Sequence, residues 1–99
     1  MSVEELKSRI QQACEDQGVR RLDLFGSRAR SNALEGNDFD FLATFEDSAP
    51  TDYSKRFFNL LHNLEDILGT PVDLLTTDSI NKRSLRERIE KEKICVYGS

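Results

Sequence analysis

Three stretches of this chain place acidic or phosphate-binding residue types where ordinary structural needs do not ask for them. The first is Asp38-Phe39-Asp40-Phe41-Leu42, where two carboxylates alternate with aromatic β-formers. Aspartate is a poor strand residue and phenylalanine a good one. Alternate strand residues lie about 6.6 Å apart on one face, so Phe39 and Phe41 are expected to enter a core while both carboxylates stand together on the other side. Two like charges held there repel, and a pair of Mg²⁺ ions about 3.5 to 4 Å apart is one way to neutralise them. Taken alone, D-x-D reads equally as a solvated edge strand with alternating polar residues.

The second stretch is Phe25-Gly26-Ser27-Arg28-Ala29-Arg30. A glycine allows close backbone approach, backbone N–H groups and the Ser27 hydroxyl can donate to an anion, and Arg28 and Arg30 add charge-assisted donors. Together they read as a phosphate cradle. In isolation Gly26 is as well a strand terminator, Ser27 an N-cap and the arginines a solvated helix face. The third is Pro71-Val72-Asp73-Leu74-Leu75, an apolar β run broken by one acid. If its strand lies beside the Asp38 strand, Asp73 can complete a carboxylate triad with Asp38 and Asp40. Satisfaction by a backbone or basic partner at a strand end is the other reading, and nearby Asp78 is a rival for the role.

The elements that must position these groups follow from periodicity. Residues 2 to 17 form a helix, with Ser2 and Glu5 at capping-box spacing and Val3, Leu6, Ile10, Ala13 and Cys14 on one face. It ends at Gly18. Val19 to Phe25 is a strand with Leu22 and Leu24 on one side and Arg21 and Asp23 on the other. A short helix is expected over Ser27 to Ala33, a turn at Glu35-Gly36-Asn37 and a strand over Asp38 to Phe45. Tyr53 to Leu68 repeats apolar residues at helical spacing and is closed by Gly69 and Pro71. A strand over Pro71 to Thr76 follows. The end is a helix over Ser84 to Lys93, with Ser84 and Glu87 at capping-box spacing, and a strand over Ile94 to Tyr97. Helices layered on a sheet, an α/β (α+β) arrangement, fit this order better than a bundle.

Ninety-nine residues fit one domain, 1–99. With 14 Lys+Arg against 18 Asp+Glu the net charge is −4, which disfavours a protein built to grip nucleic-acid phosphates. The hydrophobic share of 37% with six Phe supports one compact core. No apolar run is long enough to span a bilayer and the start lacks a signal-peptide pattern, so a cytoplasmic protein with no membrane partner is expected. Cys14 and Cys95 lack metal or disulfide spacing and read as small core side chains. His62 lies off the apolar stripe of its helix and is expected to be solvated or half-buried, without a role. Phe57 and Phe58 cannot both face one stripe, so the second flanks the sheet or meets a partner. The charged run from Arg86 to Glu92 allows i,i+4 pairs such as Arg86 with Glu90 and reads as a solvated helix face.

Gly26-Ser27-Arg28-Ala29-Arg30, followed by Asp38-Phe39-Asp40 with eleven residues between Gly26 and Asp38, resembles the G-S-x-A-R…D-x-D signature of the minimal nucleotidyltransferases of the DNA polymerase β superfamily. The resemblance runs from the leading helix to the closing strand. It implies a small mixed β-sheet with helices packed against it, and transfer of a nucleoside monophosphate, such as AMP from ATP, to a hydroxyl. It implies that Asp38, Asp40 and Asp73 hold Mg²⁺, two ions in the family's chemistry, with Asp73 also taking the acceptor's proton. Gly26 and Ser27 would bind the β and γ phosphates, and Arg28 and Arg30 would neutralise triphosphate charge. Two positions depart from the pattern: Ser31 stands where a glycine is usual, and Asn37 where a serine is usual. The resemblance also implies a partner, because many of these proteins act as antitoxin to a helical HEPN toxin, some by adenylylating it. The alternative it leaves is a catalytically weak or inactive domain of the same fold that neutralises its partner by contact.

Overall fold

In the computed structural model, residues 2–26, 39–46 and 50–98 are described. The first helix, α1 (Val3–Asp16), begins where Ser2 Oγ accepts a hydrogen bond from Glu5 N at 3.1 Å, the expected N-cap. It buries Leu6, Ile10, Ala13 and Cys14 and gives way to Gly18 at φ +65°. Strand β1 (Val19–Phe25) leads to β2 (Phe39–Phe45), α2 (Pro50–Leu68), β3 (Val72–Thr76), a 3-10 turn (Thr77–Ser79), α3 (Arg83–Glu92) and β4 (Ile94–Gly98).

The four strands form one mixed sheet in the order β3-β2-β1-β4. β1 is antiparallel to both neighbours, and β2 runs parallel to β3 across the α2 connection. Each sheet face has its own cluster. Leu22, Leu24, Phe39, Phe41, Ala43, Val72, Leu74 and Val96 pack with the apolar stripes of α1 and α2, including Leu60 and Leu64. Phe39 and Phe41 stack with ring centroids 5.8 Å apart, as expected of the aromatic side of the D-x-D strand. On the opposite face Leu42 meets Ile80 and Ile89, flanked by Phe25, Leu75 and Leu85, so α3 lies over that side. Over the described residues this is an α+β fold of three helices on a mixed sheet.

One detail departs from the sequence reading. The Ser84/Glu87 capping box does not form, because the helix starts one residue earlier: Lys82 O accepts from Arg86 N, Lys82 is the N-cap without a side-chain bond, and Glu87 takes Arg83 Nε at 3.1 Å. The charged run lies on a solvated face as expected, Arg86, Glu87, Arg88 and Glu90 being exposed, and Arg86 also donates through Nη2 to Ile80 O at 3.1 Å. The expected helix over Ser27 to Ala33 and the Glu35-Gly36-Asn37 turn lie outside the described residues. None of the described helices is long and apolar enough to cross a membrane.

Candidate active site

The mixed topology decides which acidic residues meet. In the parallel β2–β3 pair Asp40 stands in register with Asp73, and in the antiparallel β1–β2 pair Asp40 stands opposite Phe25. In-register residues on neighbouring strands share a face and their backbones lie about 4.8 Å apart. Asp40 and Asp73 are therefore neighbours at one end of the sheet face that carries Leu42 and Leu75, beyond the patch covered by Ile80 and Ile89. Asp40 is half-buried and Asp73 exposed, so the pair opens to solvent on the Asp73 side.

Gly26 closes the third side. It follows the last residue of β1 at φ +81°, and a Cβ there would stand 2.5 Å from Asp40 Oδ2. Glycine is thus demanded twice, by the left-handed backbone and by the carboxylate lying against it. The sequence offered Gly26 as a phosphate cradle or a strand terminator, and its contact with Asp40 was not legible, because it depends on the β1–β2 register.

Of the seven residues singled out by sequence, the structure brings Gly26, Asp40 and Asp73 to one place. Asp38, Ser27, Arg28 and Arg30 lie outside the described residues, as do Ser31 and Asn37. Among the described residues no group of three His, Cys, Asp or Glu stands ready for a metal. The two carboxylates there supply only hard oxygen donors, the type that Mg²⁺ prefers. The rival Asp78 falls in the turn beyond the opposite end of β3, away from the Asp40 register.

Two further residues bear on this end of the fold. Asp23 is 1% exposed, and both its oxygens accept from Arg21 Nε, at 2.9 and 3.1 Å. That hydrogen bond, with the Asp23 charge behind it, pushes the Arg21 guanidinium further up. The alternation of β1 put this pair on the polar side; that Asp23 is nevertheless buried is a tertiary fact the strand pattern does not carry. Glu65, in the last turn of α2, accepts from Val72 N through Oε2 at 3.2 Å, one residue before Asp73. An acid at a helix C-terminus runs against the dipole, and that was the available signal.

The remaining candidates are bland. His62 is exposed. Cys14 is a buried core thiol, its pKa pushed up to about 12 by burial and then by the Glu15 charge, whereas Cys95 is only half-buried, with Sγ 3.4 Å from Tyr97 O. Phe58 is 53% exposed, edge-on to Phe57, and borders a cleft of about 350 Å³ between α2 and β3.

The sequence profile of the nucleotidyltransferase domain matches residues 6–97, nearly the whole chain, and the chain belongs to that family of enzymes. A solved structure provisionally assigned as a minimal nucleotidyltransferase is 33% identical, with a TM-score of 0.68 over 95% of each chain. A Methanocaldococcus jannaschii protein provisionally named a protein adenylyltransferase is 36% identical over 97% of this chain and 99% of its own. The protein adenylyltransferase MntA of Thermococcus cleftensis is 34% identical over 80% of this chain and 76% of its own. In fold alone, the chain also resembles a toxin–antitoxin complex crystallised with AMP-PNP, at TM-score 0.70 and 19% identity, covering 94% of this chain and 73% of that one. A second such likeness is to a Shewanella oneidensis complex of tri-AMPylated HEPN toxin and MNT antitoxin, at TM-score 0.68 and 18% identity, covering 98% and 73%.

Proposed function

We propose that residues 1–99 form one cytoplasmic transferase domain that moves a nucleoside monophosphate, AMP from ATP, onto a hydroxyl of a partner protein of the HEPN toxin type, as its antitoxin. The observation that carries the reading is the in-register pair Asp40 and Asp73 with Gly26 against Asp40. Asp38, Asp40 and Asp73 would hold Mg²⁺. Bound there, the ions, two in the family's chemistry, would polarise the α-phosphate and offset the charge that builds on the leaving pyrophosphate. Gly26, Ser27, Arg28 and Arg30 would bind and neutralise the triphosphate tail. The acceptor oxygen attacks the α-phosphorus, a new P–O bond forms, the bond to the β-phosphate oxygen breaks, and pyrophosphate departs. Asp73, on the open side of the pair, takes the proton of the acceptor hydroxyl.

The choice of a protein acceptor is supported by the net charge of −4, which disfavours gripping a nucleic-acid end. It is supported too by the relatives named protein adenylyltransferases and by the toxin–antitoxin complexes of the same fold. Co-expression with the partner, then intact-mass measurement after incubation with ATP and Mg²⁺, tests it: a nucleoside monophosphate increment on the partner is expected. A partner that binds tightly and never gains mass would point to neutralisation by contact, and label on RNA would overturn the acceptor assignment.

A further inference from the structure

Asp73 meets Asp40 only if β3 holds its register against β2, and a slip of one residue would turn Asp73 to the other face. β3 is a five-residue strand at the edge of the sheet, with a neighbour on one side alone among the described residues, so the ladder that fixes it is short. Contacts with α2 and the following turn pin it at both ends. At its start Glu65 holds the turn twice: its backbone carbonyl accepts from Gly69 N at 2.8 Å, and its side chain accepts from Val72 N at 3.2 Å. Between them lie the left-handed Gly69, at φ +66°, and Pro71, which has no N–H to give. At its far end Ser79 Oγ accepts from Thr76 N at 3.1 Å and donates to Thr76 O at 2.8 Å, and the Thr77 hydroxyl meets Thr44 of β2 at 3.1 Å.

Glu65 sits where local preference argues against it. An acid in the last helical turn faces the negative end of the helix dipole, a cost of about 0.3 to 1 kcal/mol, and α2 carries no basic residue in that turn. Departures of this kind concentrate where tertiary structure or function demands them. A backbone amide at the start of an edge strand also gains from an internal acceptor, because it then neither goes unpaired nor invites another strand.

We infer that Glu65 is a positioning residue for the transfer site, fixing the start of β3 so that Asp73 stands beside Asp40, with Ser79 doing the same from the other end. This rests on the reading of Asp73 given above. The demand on Glu65 is for an acceptor oxygen, not for a charge, since its partner is a neutral amide.

The full-length chain tests this with Glu65→Ala and Glu65→Gln, alone and with Asp73→Asn, at a temperature where all are folded. Glu65→Ala is expected to lower kcat by about tenfold or more, because misplacement of a reacting group by about 1 Å can cost about a hundredfold. The KM for ATP should move by less than about threefold, since the triphosphate contacts are elsewhere. Glu65→Gln should recover most of the rate, and Glu65→Ala should cost nothing further once Asp73 is Asn. Equal loss in both Asp73 backgrounds, or no recovery with Gln, would overturn the inference. Amide exchange at Val72 and Leu74 reads the same device without activity: faster in Glu65→Ala and near wild type in Glu65→Gln supports it, and no difference overturns it. A wild-type chain that transfers nothing refutes the transferase reading, while the exchange comparison still decides on the clamp. Should Glu65→Ala not fold, Ser79→Ala takes its place in every comparison, with exchange at Thr76 as the amide readout and an intact kcat overturning the inference.

Discussion

Replacing Asp73 by Asn removes one of two carboxylates that stand in register on adjacent strands, and stability and activity are expected to move in opposite directions. With backbones about 4.8 Å apart the carboxylates lie about 5 to 6 Å from each other, and at an effective dielectric near 20 two such charges repel by about 3 kcal/mol before screening. Asp73 is exposed, so water and salt reduce this to the range of surface pairs, about 0.2 to 1 kcal/mol. For a domain of this size about 1 kcal/mol moves Tm by about 4 to 8 °C, so in EDTA the variant should melt at the same temperature or a few degrees higher. The transfer rate should fall about a hundredfold or more, the usual loss on removing a proton acceptor. Adding Mg²⁺ reverses the order. The wild type gains stability as the logarithm of saturation, about 2.7 kcal/mol at a hundred times Kd, and the variant loses most of that gain. Melting curves in EDTA and in millimolar Mg²⁺, beside a transfer assay, give all three numbers on one preparation. A Tm that drops several degrees in EDTA means that Asp73 holds the strand in place and was never a mutually repelling ligand; undiminished transfer refutes its role outright.

Asp38→Asn with Asp40→Asn should abolish transfer and the Mg²⁺-dependent rise in Tm together, and either one surviving separates metal binding from chemistry. Gly26→Ala should cost about 1 to 3 kcal/mol from backbone strain at φ +81° and push the Asp40 carboxylate aside, so transfer should fall further than the folded fraction accounts for. Cys14, with its pKa raised from 9.0 to about 12, keeps its proton more tightly in the folded state, so its contribution is whole below pH 9 and is lost as pH rises from about 9 toward 12. Denaturant melts across pH 8 to 11 should show a decline of up to about 1.4 kcal/mol per pH unit that Cys14→Ala flattens, whatever that variant's lower overall stability.

What the chain reveals of its fold is mostly what neighbours in sequence decide. Val19–Phe25 and the helix from Val3 to Asp16 carry their own limits, in a period of two, a Ser2 cap and a glycine at position 18, so they emerge as read. The start of α3 does not, because a capping-box spacing is only one competitor and the Lys82 carbonyl reached Arg86 first. The site is harder still, since the meeting of Asp73 with Asp40 requires β3 to lie parallel to β2, a fact of crossover topology that the thirty-two residues between them leave open. What the sequence does carry is a set of residues out of place, and such residues alone are ambiguous. Asp23 is as odd in its strand as Asp40 or Asp73, and it is more deeply buried than either, yet its oxygens are answered two residues away by Arg21 on the same strand. Asp73 faces another carboxylate across the register. An acid answered by a cation on its own strand forms a closed pair, whereas two acids set in register by topology bring like charge together at one spot. A carboxylate met in register by another carboxylate, and not the oddity of an acid in a strand, is therefore what separates the candidate site on β2 and β3 from the ion pair on β1.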